Sequence, residues 1–171
     1  MLDAFWYQIA YDWILKVGLP TDHAEMVFEA GMIRLYDRSR RDHSIFSIFE
    51  DTVPALDRLK AKGFRMAVLS NWDYSIHRVM KLLKLDGYFE RIYASLEEGV
   101  EKPDPRLFEI MLNGCGVSAG NVIHVGDSPT DDLLGAQNAG IKAVLIDRAN
   151  EPNLPTRIAS LLDLIQVLDC C

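Results

Sequence analysis

Three carboxylates cluster in the segment VIHVGDSPTDD, residues 122–132, where Asp127, Asp131 and Asp132 follow a short apolar run. The apolar run is typical of a buried strand, and the Gly, Ser and Pro that come after it indicate a loop. The three acids therefore lie at the exit of a strand, where their side chains can converge. Carboxylate oxygens are preferred ligands of Mg²⁺, so this loop is a candidate cation site.

Other polar groups follow two neighbouring predicted strands. Ser70 and Asn71 end the run FRMAVLSN, and Lys102 lies in EKPDP, the loop after RIYASL. All three are candidate substrate-binding residues. In open parallel sheets, ligands bind beyond the carboxyl ends of the strands. There Ser70 can donate to a phosphate oxygen, Lys102 can offset the phosphate charge, and Asp127 with a companion acid can hold Mg²⁺.

From residue 49 onward, apolar runs and amphipathic segments alternate along the chain. This alternation predicts parallel strands joined by right-handed helical crossovers, which is a doubly wound α/β sheet covered on both faces. The expected strands are 64–70, 91–96, 121–125 and 142–146, and the expected helices start near 52 and span about 75–85, 105–111, 130–139 and 156–168.

The first 48 residues have a different pattern. Leu2, Phe5, Ile9 and Trp13 recur at helical spacing, a second helix is expected from Asp22 to about residue 36, and no segment there is typical of a strand. We therefore expect a helical unit at 1–48 and an α/β unit at 49–171.

Composition excludes several classes of partner. The 171 residues carry a formal net charge of −7 and have a pI near 5.0. No basic patch is present for nucleic acid or an anionic membrane surface. Three cysteines, two of them Cys170 and Cys171, form neither a disulfide framework nor a zinc motif, and the adjacent pair fits no prenylation signal. The first seventeen residues resemble neither a signal peptide nor a membrane span, so we expect a cytoplasmic protein, with its oligomeric state undetermined.

The segments LSN (69–71), EKPDP (101–105) and GDSPTDDLLGAQNAG (126–140) resemble, in order and context, motifs II, III and IV of the haloacid dehalogenase-like (HAD) hydrolase superfamily. With SNWD at 70–73, they are most similar to its HAD-like hydrolase domain-containing branch. The resemblance implies a Rossmannoid core in which Ser70 binds the phosphoryl group, Lys102 steadies the nucleophile and phosphate, and Asp127 ligates Mg²⁺. Asp132 matches the family's second acid by its five-residue step, and Asp131 is the competitor. The helices before residue 48 resemble the latter part of the family's cap.

One part of the family pattern is missing from the sequence. Members carry a first motif, a strand ending in D-x-D-x-T/V, whose first Asp attacks phosphorus and whose second Asp is the general acid and base. No D-x-D triplet occurs upstream of residue 49. We therefore expect the chain to begin within the cap, beyond the nucleophile strand, and to lack the covalent mechanism. The loss of acid–base assistance alone lowers a rate by about 10²–10⁴.

The missing motif also has a structural consequence. In the family this strand lies between those that correspond to 64–69 and 121–125, and without it two edges lose their hydrogen-bonding partners. Each unpaired buried backbone group costs about 1–3 kcal/mol. We expect either that the two half-sheets pair directly or that the chain is a fragment that folds poorly alone.

The sequence is compatible with two functional classes. The first is a Mg²⁺-dependent phosphatase lineage that acts on a small phosphorylated metabolite, inactive in this chain because the nucleophile is missing. The acid-rich loop favours phosphatase over metal-independent dehalogenase chemistry. The second is a non-catalytic module that binds phosphate, metal or a protein partner.

Several other polar residues have simpler explanations. His124 is more often a satisfied core histidine than a ligand, and Asp73 and Asp104 are expected to cap helices. Asp131 or Thr130 is a further candidate cap. Trp72 fits a substrate pocket and ordinary packing equally well.

Overall fold

The computed structural model describes residues 46–169. The part of the chain that begins at Ile48 forms one compact unit. Most of the expected helical unit at 1–48 lies outside the described residues. The helices are α1 (Thr52–Ala61), α2 (Ser75–Leu82), α3 (Ser95–Glu98), α4 (Pro105–Cys115), α5 (Gly135–Asn138) and α6 (Asp163–Asp169), and the strands are β1 (Ala67–Ser70), β2 (Arg91–Ala94), β3 (Ile123–Gly126), β4 (Lys142–Ile146) and β5 (Arg157–Ile158). A π-helical stretch, Pro129–Leu134, connects β3 to α5, and the 3₁₀ turns are Asp86–Tyr88 and Ala119–Asn121.

The strands form two parallel sheets. One contains β1 and β2, with Leu69 opposite Tyr93, and the other has the order β3-β4-β5. Within residues 46–169, β1 pairs only with β2, and β3 pairs only with β4. The expected α/β class with parallel strands is confirmed. Of the two alternatives expected for the half-sheets, direct pairing is wrong, because no ladder joins β1 to β3.

Helices cover both faces of these sheets. Side chains alternate between faces along a strand, so neighbours in sequence enter different cores. On one face, α1 and α2 cover the first sheet around Leu56, Ile76 and Met80, whereas α1 and α6 cover the second around Leu59 and Val167. On the other face, one cluster under α4 and α5 includes residues from both sheets: Leu69, Tyr93, Phe108, Ala136, Ile141 and Ala143.

The two sheets lie in a single layer, because the same helices pack against both of them. Helix α1 contributes Leu56 to the core of the first sheet and Leu59 to that of the second, and Met66, just before β1, packs against both. Phe108, which is 0% exposed, lies in the cluster that joins Tyr93 of β2 to residues beside β4. Residues 48–169 therefore form a three-layer α/β/α unit with a middle layer in two parts.

The C-terminal region departs from the predicted helix at 156–168. Arg157 and Ile158 form β5, which extends the sheet beside β4, and the helix starts only at Asp163. Its first residue accepts hydrogen bonds from the backbone N–H groups of Ala159 and Ser160. The prediction was wrong because the free edge of β4 offers Ile158 a ladder and a fully buried site, and such pairing overrides local periodicity.

Asp51 ties the start of α1 to the end of the chain. Its Oδ2 accepts hydrogen bonds from Arg148 at 3.0 Å, from the hydroxyl of Ser160 at 2.7 Å and from the N–H of Leu161 at 2.7 Å. Burial raises the pKa of Asp51, but these bonds and the charge of Arg148 outweigh burial and lower it. Arg148 also lies over the ring of Phe49, 3.8 Å from its centroid, which is a cation–π contact.

None of the helices within residues 46–169 has the length and apolar character needed to cross a membrane.

Candidate functional site

Two strand-end loops are fixed to each other by a reciprocal pair of hydrogen bonds. Asn71, which follows β1, donates from Nδ2 to the carbonyl of Lys102 at 2.9 Å and accepts from its N–H at 2.8 Å. A side-chain amide can act in both directions, which a carboxylate cannot. Asn71, predicted to bind substrate, therefore positions the Lys102 backbone with both ends of its amide group.

The side chain of Lys102 lies in the interior of the crevice. Its Nζ donates to Asp132 Oδ1 at 2.6 Å and to the carbonyl of Leu69 at 3.2 Å, and the two charged side chains are 10% and 6% exposed. A charge-assisted bond of this length in a desolvated site is strong, because little water screens it. Lys102 thereby connects the end of β1 to the loop after β3.

Asp132 is held from several directions. His124 Nε2 lies 2.8 Å from Oδ1, and the N–H of Ser128 donates to Oδ2 at 3.0 Å. Because a carboxylate only accepts, His124 carries its hydrogen on Nε2. Burial raises the pKa of Asp132, but the hydrogen bonds from His124, Lys102 and Ser128 and the charge of Lys102 outweigh it and hold the pKa well below its usual range. Asp132 is therefore ionised at neutral pH.

Two glycines make room for this network. A Cβ at Gly126 would overlap the Asp132 carboxyl group, so glycine at the end of β3 lets that carboxylate lie directly against the strand. A Cβ at Gly135 would meet the ring of Phe108 at 2.9 Å and the Pro103 backbone at 3.0 Å. Gly126 thus permits close packing against Asp132, and Gly135 permits it against Pro103, the residue after Lys102.

Two of the predicted residues are free to meet a ligand. Within residues 46–169, neither the hydroxyl of Ser70 nor the carboxylate of Asp127 takes part in any hydrogen bond or ion pair that the structure contains. Ser70 is half-buried at the end of β1, and Asp127 is exposed just after β3. The site therefore combines a fixed frame with two unengaged groups.

The sequence missed the role of His124. Its ring lies edge-on to Phe108, with centroids 5.2 Å apart, and it is a satisfied interior histidine as expected. However, the group that satisfies it is the site carboxylate Asp132. The sequence pattern that indicated this contact is a carboxylate, Asp132, eight residues after His124 and beyond a glycine that allows a turn.

The remaining polar residues have structural roles. Asp104 caps α4 by accepting from the N–H of Arg106, which confirms the prediction. Asp73 accepts from the N–H of Ser75 at 2.7 Å, just before α2. The expected cap at Asp131 or Thr130 is wrong, because Ser128 occupies that position and accepts from the N–H of Asp131. Trp72 packs against the core of the first sheet, and its ring N–H donates a hydrogen bond to the Ser75 hydroxyl, so the structure shows a packing role for it.

The donor set fits Mg²⁺ through Asp127. This ion keeps several waters and is held by one or two carboxylates together with phosphate oxygens, so an exposed, unengaged carboxylate suits it. Asp132 stays a predicted ligand, although both of its oxygens already accept hydrogen bonds. In the part of the chain that the structure describes, no group of three or more His, Cys, Asp or Glu side chains is arranged to hold a metal ion.

Comparison with known proteins fits this geometry. The family model of the haloacid dehalogenase-like hydrolases matches residues 6–140. The chain belongs to this family. Similar proteins include "Haloacid dehalogenase-like hydrolase domain-containing protein 3" of Danio rerio, 34% identical over 103 residues, which are 60% of this chain and 43% of that protein. Another is the "Glyceraldehyde 3-phosphate phosphatase" of Methanothermobacter thermautotrophicus, 38% identical over 101 residues, which are 58% of this chain and 44% of that protein.

The fold comparison extends over more of the chain. The crystal structure of a HAD phosphatase from Thermococcus onnurineus superposes with a TM-score of 0.73 at 23% identity, covering 96% of this chain and 88% of that one. At this identity the likeness shows the HAD fold alone. The chain spans less than half the length of the two relatives above.

Proposed function

We propose that this chain derives from a lineage of Mg²⁺-dependent phosphatases acting on small phosphorylated metabolites, and that by itself it binds phosphate together with Mg²⁺ without hydrolysing a phosphomonoester. The observation that carries the proposal is the engagement of Lys102. The family resemblance assigns this lysine to a nucleophile and a phosphate, and here its Nζ lies 2.6 Å from Asp132. Asp132 in turn has both oxygens occupied, so it is unsuited to attack phosphorus.

Charge decides how an anion can enter the crevice. Lys102 contacts Asp132, and the loop that carries Asp132 also carries Asp127 and Asp131, so these four side chains together have a net negative charge. A dianionic phosphate would be repelled by this arrangement. A divalent cation held by Asp127 would reverse the sign, and when bound it would polarise a phosphoryl oxygen.

The chain's own groups would then position the anion. The free hydroxyl of Ser70 can donate to a phosphate oxygen, and the Asn71–Lys102 pair fixes the loop that carries the lysine. His124 and Ser128 hold Asp132 ionised, and the Asp132 carboxylate holds the Lys102 side chain in the crevice. These groups bind and orient, and none of them supplies an attacking atom.

Two measurements on the 171-residue chain test this proposal. Titration with inorganic phosphate by calorimetry should show binding with Mg²⁺ present and little without it. Ser70→Ala should weaken that binding about tenfold or more, as expected for a lost hydrogen bond to a charged group. Ser118→Ala, outside the crevice, is the matched control.

The same preparations should not hydrolyse an aryl phosphate above the enzyme-free rate. Hydrolysis that Asp127→Asn and a chelator both abolish would overturn the claim that this chain is inactive. The proposed binding site would be overturned if phosphate did not bind in the presence of Mg²⁺, or if it bound equally strongly without Mg²⁺.

A further inference from the structure

A histidine and a lysine share one oxygen of Asp132. Its Oδ1 accepts from Lys102 Nζ at 2.6 Å and from His124 Nε2 at 2.8 Å, whereas Oδ2 accepts from the N–H of Ser128. Water has little access to this group, because the side chains of Lys102, Asp132 and His124 are 10%, 6% and 11% exposed. The oxygen that Lys102 contacts is therefore also the oxygen that His124 holds.

Strand β3 determines where the imidazole lies. Side chains two residues apart share a face of a strand, so His124 is on the same face as Gly126. Asp132 lies against the strand at Gly126, because a Cβ there would overlap its carboxyl group. The His124 ring also packs edge-on to Phe108, which is 0% exposed. Backbone and packing thus hold the imidazole beside the carboxylate.

The position of Oδ1 sets the position of the lysine. A carboxyl group turns easily about its terminal torsion, because the energy wells of that torsion are broad. The N–H of Ser128 restrains the other oxygen of Asp132, so Oδ1 depends on His124 for a donor that is itself fixed. The flexible Lys102 side chain takes its direction from Oδ1 and from the carbonyl of Leu69. A donor that fixes Oδ1 therefore also fixes the ammonium.

We propose that His124 is a positioning residue for phosphate, which acts by fixing Asp132 Oδ1 and, through that oxygen, the Lys102 ammonium. The inference rests on the proposed function, in which Lys102 and Ser70 meet a phosphate beside Mg²⁺. In metal sites, removal of a group that orients a binding side chain typically costs about 10–100-fold in affinity or activity, and we expect about tenfold here. The competing explanation is a purely structural role, in which His124 only fills the space beside Phe108.

Two substitutions separate the hydrogen bond from the packing. His124→Phe keeps an aromatic ring against Phe108 but has no N–H. His124→Gln lacks the ring, but its amide nitrogen is a donor that lies as many bonds from the backbone as Nε2 does. In calorimetric titrations of the complete chain with inorganic phosphate in Mg²⁺, His124→Phe should bind about tenfold more weakly than the wild type, and His124→Gln should bind within about threefold of it.

Two controls show whether the loss arises through Lys102. Val125 lies on the opposite face of β3 and packs in the core with Leu59 and Val167. Val125→Ala should lower the free energy of unfolding without weakening phosphate binding, because it leaves the contacts of Asp132 intact. Affinity for Mg²⁺ alone should be the same in His124→Phe as in the wild type, because the substitution leaves the carboxylate of Asp127 unchanged.

Spectra provide a second measurement, which in the wild type needs no variant. Nitrogen NMR of the imidazole should show a hydrogen on Nε2 of His124. The hydrogens of the Lys102 ammonium should exchange slowly in the wild type and in His124→Gln, because the group is hydrogen-bonded and nearly buried. They should exchange faster in His124→Phe, which a role in packing alone does not predict.

Several results would overturn the positioning role while the proposed function stands. These are equal phosphate affinity of His124→Phe and the wild type, binding by His124→Gln as weak as that of His124→Phe, a loss of Mg²⁺ affinity as large as the loss for phosphate, or a wild-type Nε2 without a hydrogen. If His124→Phe does not fold, His124→Gln and the imidazole spectrum decide. A wild-type chain that does not bind phosphate in Mg²⁺ would overturn the proposed function, and this inference with it.

Discussion

Replacing Asp132 by asparagine should destabilise the fold strongly. The substitution preserves the size of the side chain but removes the negative charge that lies 2.6 Å from Lys102 Nζ. The ammonium, on a side chain only 10% exposed, would keep only neutral acceptors, the Leu69 carbonyl and the new amide oxygen. Breaking a buried pair in this way costs about 3–5 kcal/mol, because the other charge stays buried without compensation.

That cost is a large part of the stability of a domain, which is about 5–15 kcal/mol. For a chain of this size it corresponds to a fall in Tm of roughly 6–20 °C. Thermal unfolding followed by circular dichroism gives the value. Asp127→Asn is the matched control, since it removes an exposed, unengaged carboxylate and should change stability by no more than about 0.5 kcal/mol.

A double variant separates charge from packing. Adding Lys102→Met to Asp132→Asn removes the unpaired ammonium, so the double variant should be more stable than Asp132→Asn alone. Two results would contradict the role of the buried pair in holding these loops together. The free energies of unfolding of Asp132→Asn and Asp127→Asn could differ by less than about 1 kcal/mol, or the double variant could be no more stable than Asp132→Asn.

Three further outcomes are expected. The pKa of Asp132 is lower in the folded chain than in the unfolded one, so its contribution to stability is complete above the ordinary carboxyl pKa of about 4 and is lost as the pH falls through the folded value. The free energy of unfolding, measured with urea, should therefore fall less steeply with acid for Asp132→Asn than for the wild type. Gly114→Ala should destabilise by about 1–3 kcal/mol despite alanine's helix propensity, because the new methyl meets the Tyr93 hydroxyl, and chemical denaturation should show a smaller penalty in a Tyr93→Phe background. Asn71→Ala should cost about 1–3 kcal/mol and weaken Mg²⁺-dependent phosphate binding, because the Lys102 backbone loses both partners; unchanged melting and phosphate titration would contradict that role.

The strand ends that form the site were predictable from sequence, but their pairing was not. Apolar runs that end in Ser70 and Gly126 specify strands followed by polar loops, and the structure has strands there. Hydrogen bonds between these groups depend on the spatial distance between loops that are far apart in sequence. Lys102 and Asp132, for example, are separated by 30 residues. Local patterns contain no information on such distances, so the sequence assigned Lys102 and Asp132 to ligands without predicting that the two side chains pair with each other.

Two errors have different causes. The strand Arg157–Ile158 could not be predicted from periodicity, because it exists only through the edge that β4 offers. The cap at Ser128 was predictable, since a serine followed by Pro129 at the first helical position is a known start signal.

The contacts of Asp51 affect how the chain can fold during synthesis. Its partners Arg148, Ser160 and Leu161 come 97 to 110 residues later, and Lys62 pairs with Asp169 after 107 residues. At a ribosomal rate of about 5–20 residues per second, α1 waits roughly 5–20 s for the segment that completes its surroundings. During that interval the apolar side of α1, with Leu59, lacks its cover from α6, and the unit can complete its fold only after residue 169 has been synthesised.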